Sequence, residues 1–143
     1  MREARIDFRL ASAVAAPLLL AAWLPRWDSA IFGYGLSGAI VFCVSVAVLE
    51  EVVFRGALQG WLLGKKHFEQ NVMRLSRANW LTSLLFAVAH IWQHPLGLVP
   101  GYFAVSLVLG YFRERYKGIL VPVLLHTYYN LAILFLPRLF DLV

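Results

Sequence analysis

Glu50, Glu51 and Arg55 are the only charged residues between positions 31 and 64, in a stretch that is otherwise almost wholly apolar. A carboxylate at bilayer depth costs roughly 3 kcal/mol or more, so acids placed there have a partner or a function. Spacing divides the two acids. Glu51 and Arg55 are four residues apart, so on a helix they share a face and pair, a structural role. Glu50 is turned about 100° from Glu51, which leaves its carboxylate available to react. Two later apolar stretches carry complementary groups. His90 stands near the end of residues 80–92 and can share a water with Glu50, and Phe86, one turn earlier, would wall the pocket. His126 and Asn130, four apart within residues 119–136, present an imidazole and an amide to one spot, which suits a developing oxyanion. A carboxylate and a histidine to activate water, with a second histidine and an asparagine to hold the tetrahedral oxygen, make a hydrolase that needs no serine or cysteine nucleophile.

The elements that position these groups follow from composition. Of 143 residues 61% are hydrophobic and 15% are charged, where a soluble domain carries about 25% charged. Apolar runs over residues 10–24, 31–63, 80–92, 96–112 and 119–136 predict an all-α, polytopic transmembrane helical bundle of about five spans. Residues 10–24 have the basic start and Ala/Leu core of a signal peptide. No convincing cleavage site precedes Trp23, Leu24, Pro25, Arg26 and Trp27, so a retained first helix with an interfacial tryptophan belt is expected. The 31–63 run exceeds one span and predicts a helix that is tilted, bent or broken near Gly56 or Gly60, with Gly33, Gly35 and Gly38 suited to close helix packing. Residues 64–79 predict an interfacial amphipathic turn.

With five spans and a cytoplasmic N-terminus, ten bases fall inside (Arg2, Arg5, Arg9, Lys65, Lys66, Arg74, Arg77, Arg113, Arg115, Lys117) against Arg26 and Arg138 outside. At about 1.5 Å per residue, Glu50 lies roughly 20 Å in from Gly64 and His90 roughly 16 Å in from Asn79. His126 and Asn130 lie roughly 10 to 17 Å in from Ile119. In a hydrocarbon core about 30 Å thick, all fall near one middle layer, as members of a single buried pocket would. The net charge of +5 is spread over short tracts between apolar runs, a topology signal that excludes a nucleic-acid partner. The single cysteine, Cys43, allows no internal disulfide.

Three motifs now stand in order: Glu50-Glu51-Val52-Val53-Phe54-Arg55 as EExxxR, Phe86 to His90 as FxxxH, and His126 to Asn130 as HxxxN. The ordered set resembles the CPBP family of intramembrane proteases, which includes the type II CAAX prenyl endopeptidases. The resemblance covers residues 38–134 of a single integral-membrane protease domain, 1–143. It implies that Glu50 and His90 activate water, that His126 and Asn130 form the oxyanion hole, and that no cofactor is required. It implies a peptide or protein substrate with a membrane-proximal cleavage site, and membrane lipid as surroundings. The short chain leaves room for a homodimer. It is similar in size to compact bacterial members that process C-terminal sorting tails, which implies a prokaryotic cytoplasmic membrane.

Three rival readings use the same residues less fully. A zinc-dependent protease would take Glu50, His90 and His126 as ligands. The pair His90 and His94 lacks the glutamate of HExxH, since Ile91 stands there; His94 reads as interfacial and idle. Ser37, in Gly35-Leu36-Ser37-Gly38, matches a rhomboid-type serine motif but leaves Glu50, Arg55 and Asn130 unexplained. A small carrier or assembly factor would use intramembrane Glu and His as a proton relay, yet the chain has no internal repeat.

Overall fold

The computed structural model describes residues 8–19, 35–92 and 94–140. The elements are α1 (Phe8–Leu19), α2 (Gly35–Glu51), a π-helical segment (Val52–Gln59), α3 (Gly60–Leu63), β1 (Asn71–Val72), β2 (Leu75–Ser76), α4 (Arg77–Ala89), a 3-10 turn (Leu96–Leu98), α5 (Val99–Tyr116) and α6 (Leu120–Phe140). The tryptophan belt at 23–27, Gly33, Arg2 and Arg5 lie outside the described residues. Among the described residues, the helical runs Gly35–Leu63 and Leu96–Tyr116 are long and apolar enough to cross a membrane, and Leu120–Leu136 is a shorter apolar helix. This is the make-up of a helical membrane protein.

Contacts divide the chain into two compact units. One joins residues up to Val46 with those from Leu125. In it, Ala39 and Cys43 of α2 pack with Leu134 of α6, flanked by Leu131 and Phe135. The Tyr128 and Tyr129 hydroxyls donate to the Val14 and Ala13 carbonyls of α1, at 2.9 and 3.0 Å. Gly35 opens α2 at φ +72° with no atom near its missing Cβ, so this glycine serves the backbone turn rather than helix packing.

The other unit, Ala47–Leu124, is built on an α4/α5 helical hairpin packed on the π segment. The 31–63 run does not break at its glycines. The helix continues through Gly56 and Gly60 and widens instead, closing i→i+5 turns over Val52–Gln59. A physical reason lies in Glu51, Arg55 and Gln59, all fully buried and spaced by four. A 3.6-residue turn would rotate each such step by about 40°. A wider turn keeps the three polar groups more nearly on one buried stripe.

Residues 64–76 form turns and a β-hairpin, so the expected turn includes a short sheet, with Asn71 opposite Ser76 and Val72 opposite Leu75. Met73 and Arg74 turn the chain at φ 51° and 69°. The hairpin delivers Ser76 as N-cap of α4, its hydroxyl accepting from the Asn79 amide at 2.9 Å. The Arg77 and Ala78 amides donate to the Gln70 and Phe68 carbonyls, so the first turn of α4 is satisfied before the helix begins. α4 starts three residues earlier than its apolar run and stops at His90, its C-cap. α5 opens with Pro100 in its first turn and ends at Lys117 in the left-handed conformation, with Arg113 and Arg115 in the last turn.

Candidate active site

The Glu50 carboxylate, at the end of α2, lies 3.9 Å (Oε1) from Nε2 of His90. That is too long for a direct hydrogen bond. Both groups are partly accessible, with 26% of the Glu50 side chain and 13% of His90 exposed. The orientation of His90 follows from its other nitrogen. His90 Nδ1 is 2.8 Å from the Phe86 carbonyl oxygen. A carbonyl only accepts, so Nδ1 carries the hydrogen and donates, and in the neutral ring the lone pair is on Nε2, the nitrogen 3.9 Å from Glu50. Phe86 is buried, and its ring centroid is 4.4 Å from that of His90.

Glu51 points the other way. Its Oε1 is 3.1 Å from Arg55 Nη1, with neither side chain exposed. Arg55 also donates from Nη2 to the Ser106 hydroxyl at 2.8 Å and to the Ser106 carbonyl at 3.1 Å. Its guanidinium carbon lies 4.8 Å from the centroid of the Phe86 ring. One cation therefore ties the π segment to α5 and rests on the aromatic wall beside His90. Arg113 Nε donates in turn to the Arg55 carbonyl at 3.1 Å, taking up a backbone acceptor of the widened helix.

Below this lies a polar ladder that the motifs do not contain. Gln59 Nε2 donates to the Gly110 carbonyl at 3.2 Å and to Glu114 at 2.8 Å, and the Ser76 hydroxyl donates to the same Glu114 oxygen at 2.6 Å. Asn79 donates to the Leu107 carbonyl at 3.0 Å and accepts from Ser83 at 3.0 Å. A Cβ at Gly110 would collide with the Asn79 side chain, so the α4–α5 approach requires glycine there. Tyr102, Ser106, Gly110 and Glu114 all recur at intervals of four along α5, and each meets α4 or the π segment. That interval, in an otherwise apolar run, is the sequence signal for Ser106 and Glu114, and the same interval from Glu51 through Arg55 leads to Gln59.

His94 is packed against two rings. Its ring centroid is 5.8 Å from that of His90 and 4.9 Å from that of Tyr102. Burial, and to a smaller degree the neighbouring His90, holds its pKa below the ordinary histidine value. His126 and Asn130 stand one turn apart on α6, His126 buried and Asn130 half-buried, and belong to the other unit. Ser37 is exposed on α2, thirteen residues and so about 20 Å along the helix from Glu50. Among the described residues no group of three or more His, Cys, Asp or Glu is arranged to hold a metal ion.

A family model described as type II CAAX prenyl endopeptidase Rce1-like matches residues 29–132, which include all three motifs. The chain belongs to that family. No curated protein and no solved structure matches it. Membership in the Rce1-like family makes a CAAX-type membrane protease the class of activity to be explained.

Proposed function

We propose that this chain is an intramembrane endopeptidase, acting without a resident metal, in which Glu50 and His90 together activate the attacking water. The observation that supports this reading is the 3.9 Å separation of Glu50 Oε1 and His90 Nε2, with the Nδ1 hydrogen committed to the Phe86 carbonyl so that Nε2 is left to accept. Across 3.9 Å, a water bonded to both at ~2.8 Å would subtend roughly 90° at its oxygen, near the angle between its own O–H bonds. Such a water donates one proton toward each acceptor and turns a lone pair outward.

In the proposed reaction that lone pair adds to the scissile carbonyl carbon as a water proton passes to Glu50. The carbonyl oxygen becomes an oxyanion, for which the HxxxN motif assigns His126 and Asn130 as donors. Collapse breaks the C–N bond, and the proton on Glu50 passes to the departing nitrogen, leaving a carboxylic acid and an amine. Glu51 and Arg55 hold the helix in place and take no part in the bond changes. The substrate is a peptide or protein cleaved close to the membrane, either a CAAX-type C-terminus or a C-terminal sorting tail. We place the chain as a five-span protein of a prokaryotic cytoplasmic membrane with its N-terminus inside, on the distribution of Lys and Arg.

The test uses purified protein in liposomes and a quenched fluorescent peptide ending in a CAAX box, with and without a farnesyl group. Cleavage by the native chain and none by Glu50→Gln is the expected outcome. Cleavage that survives Glu50→Gln would overturn the mechanism. Cleavage of the unfarnesylated peptide at equal rate would remove the lipid from the recognition element.

A further inference from the structure

An imidazole that activates water must be held in its plane as well as at its edge. The bond from His90 Nδ1–H to the Phe86 carbonyl fixes one edge of the ring. It does not by itself set the ring plane, and a swivel about that edge would carry Nε2 away from Glu50; the Phe86 ring, 4.4 Å away and tilted at 34°, lies against the imidazole without stacking on it. A second group removes this freedom. Tyr102, in the first turn of α5, lies with its ring centroid 4.5 Å from that of His90 at an interplanar angle of 24°, a stacked arrangement. The same tyrosine ring is 4.9 Å from His94. His94 is itself tied back, its amide donating to the His90 carbonyl at 3.1 Å. Phe86, His90, Tyr102 and His94 thus form one continuous aromatic packing.

The placement of Tyr102 is built in from below. Ser106, one turn further along α5, takes both hydrogen bonds from Arg55 Nη2. Residues four apart share a helix face. The cation that neutralises Glu51 therefore sets the height and rotation of α5 at Ser106, and this brings Tyr102 level with His90. We infer that Tyr102 is a positioning residue for His90: its ring holds the imidazole plane so that Nε2 stays aimed at Glu50, and it does so through ring contact, not through its hydroxyl. This rests on the proposed role of Glu50 and His90.

Three variants of the full chain in detergent micelles or liposomes test the inference: Tyr102→Phe, Tyr102→Leu and Glu50→Gln. Phenylalanine keeps the stack, so kcat on the CAAX peptide should stay within about three-fold of the native value. Leucine keeps bulk and loses the flat face, so kcat should fall roughly ten- to hundred-fold with KM changed less than about two-fold. NMR of 13C-labelled histidine reads the same geometry without catalysis. The His90 Cε1–H resonance should carry the same ring-current shift in the native chain and in Tyr102→Phe, and move in Tyr102→Leu, where the Phe86 ring remains and the Tyr102 ring is gone. Full activity in Tyr102→Leu, an unchanged His90 resonance, or a loss in Tyr102→Phe as large as in Tyr102→Leu would each overturn the inference. An active Glu50→Gln would instead remove the proposed reaction while the NMR result still reported on the stack.

Discussion

Arg55 Nη2 grips Ser106 twice, at the hydroxyl and at the carbonyl, 51 residues away in sequence. With Nη1 on Glu51, the one guanidinium joins two helices and neutralises an acid, all out of contact with solvent. Lysine has neither the fork nor the planarity to do this.

Removing one member of that pair leaves a buried charge uncompensated. Arg55→Ala or Glu51→Ala should destabilise the protein by about 3–5 kcal/mol, measured by thermal or SDS unfolding in detergent. Replacing both with apolar residues of similar volume should cost less than either single change. Arg55→Lys should also lose stability, since a point charge cannot make the Glu51 and Ser106 contacts together. A stable Arg55→Ala protein would show that the pair carries no structural weight.

Glu50 and His90 should behave differently, because neither holds the fold together. His90→Ala and Glu50→Gln should each lower kcat by about 10²- to 10⁴-fold while unfolding within a few degrees of the native protein. Asn130→Ala should lose about 10²- to 10³-fold in kcat with little change in KM, as the removal of one oxyanion donor does. Parallel kinetics and melting curves separate these outcomes from simple misfolding.

The pairing of Glu51 with Arg55 was legible from helical geometry alone, since residues four apart share a face. Glu51 turns to Arg55 and Glu50 to His90. The widened helix was not legible. Its form depends on Arg55 and Gln59 meeting α5, a tertiary contact, and not on Gly56 or Gly60. An interval of four marks Gln59, Ser106 and Glu114 in the sequence, but the groups they bond are set by the packing of the helices. The β-hairpin was hidden because its turn residues, Met73 and Arg74, are not the Asn-Gly type that announces one.

That hairpin tip offers a gain. Two non-glycine residues with positive φ cost roughly 1 kcal/mol each. Replacing Met73 and Arg74 with Asn and Gly should therefore raise stability by about 1 kcal/mol, seen as a higher melting temperature with unchanged cleavage. A fall would mean that one of the two side chains has a contact of its own.

Gly110 should be intolerant. Alanine there drives a methyl into the Asn79 side chain, and overpacking of this kind costs about 1–3 kcal/mol. Shortening Asn79 to alanine in the same protein should relieve part of the loss, so the double variant should fall short of the sum of the two single changes.

Exhaustive chelation tests the absence of a resident metal. Activity after prolonged dialysis against a strong chelator should equal that of untreated protein, and added zinc should not raise it. Loss on chelation with recovery on zinc would assign Glu50, His90 and His126 as ligands instead.

α4 has thirteen residues, so it rises only about 20 Å from its hydrophilic start, short of a hydrocarbon layer about 30 Å deep. His90 is where the helix gives out, and Ile91, Trp92, His94 and Pro95 beyond it are turn and irregular backbone. Lipid tails do not tolerate open peptide groups, so that level of the protein has to be wet or roofed by other parts of the chain. A hydrolase in a bilayer needs a supply route for its second substrate, and in the proposed mechanism a helix that stops early would bring that route to His90.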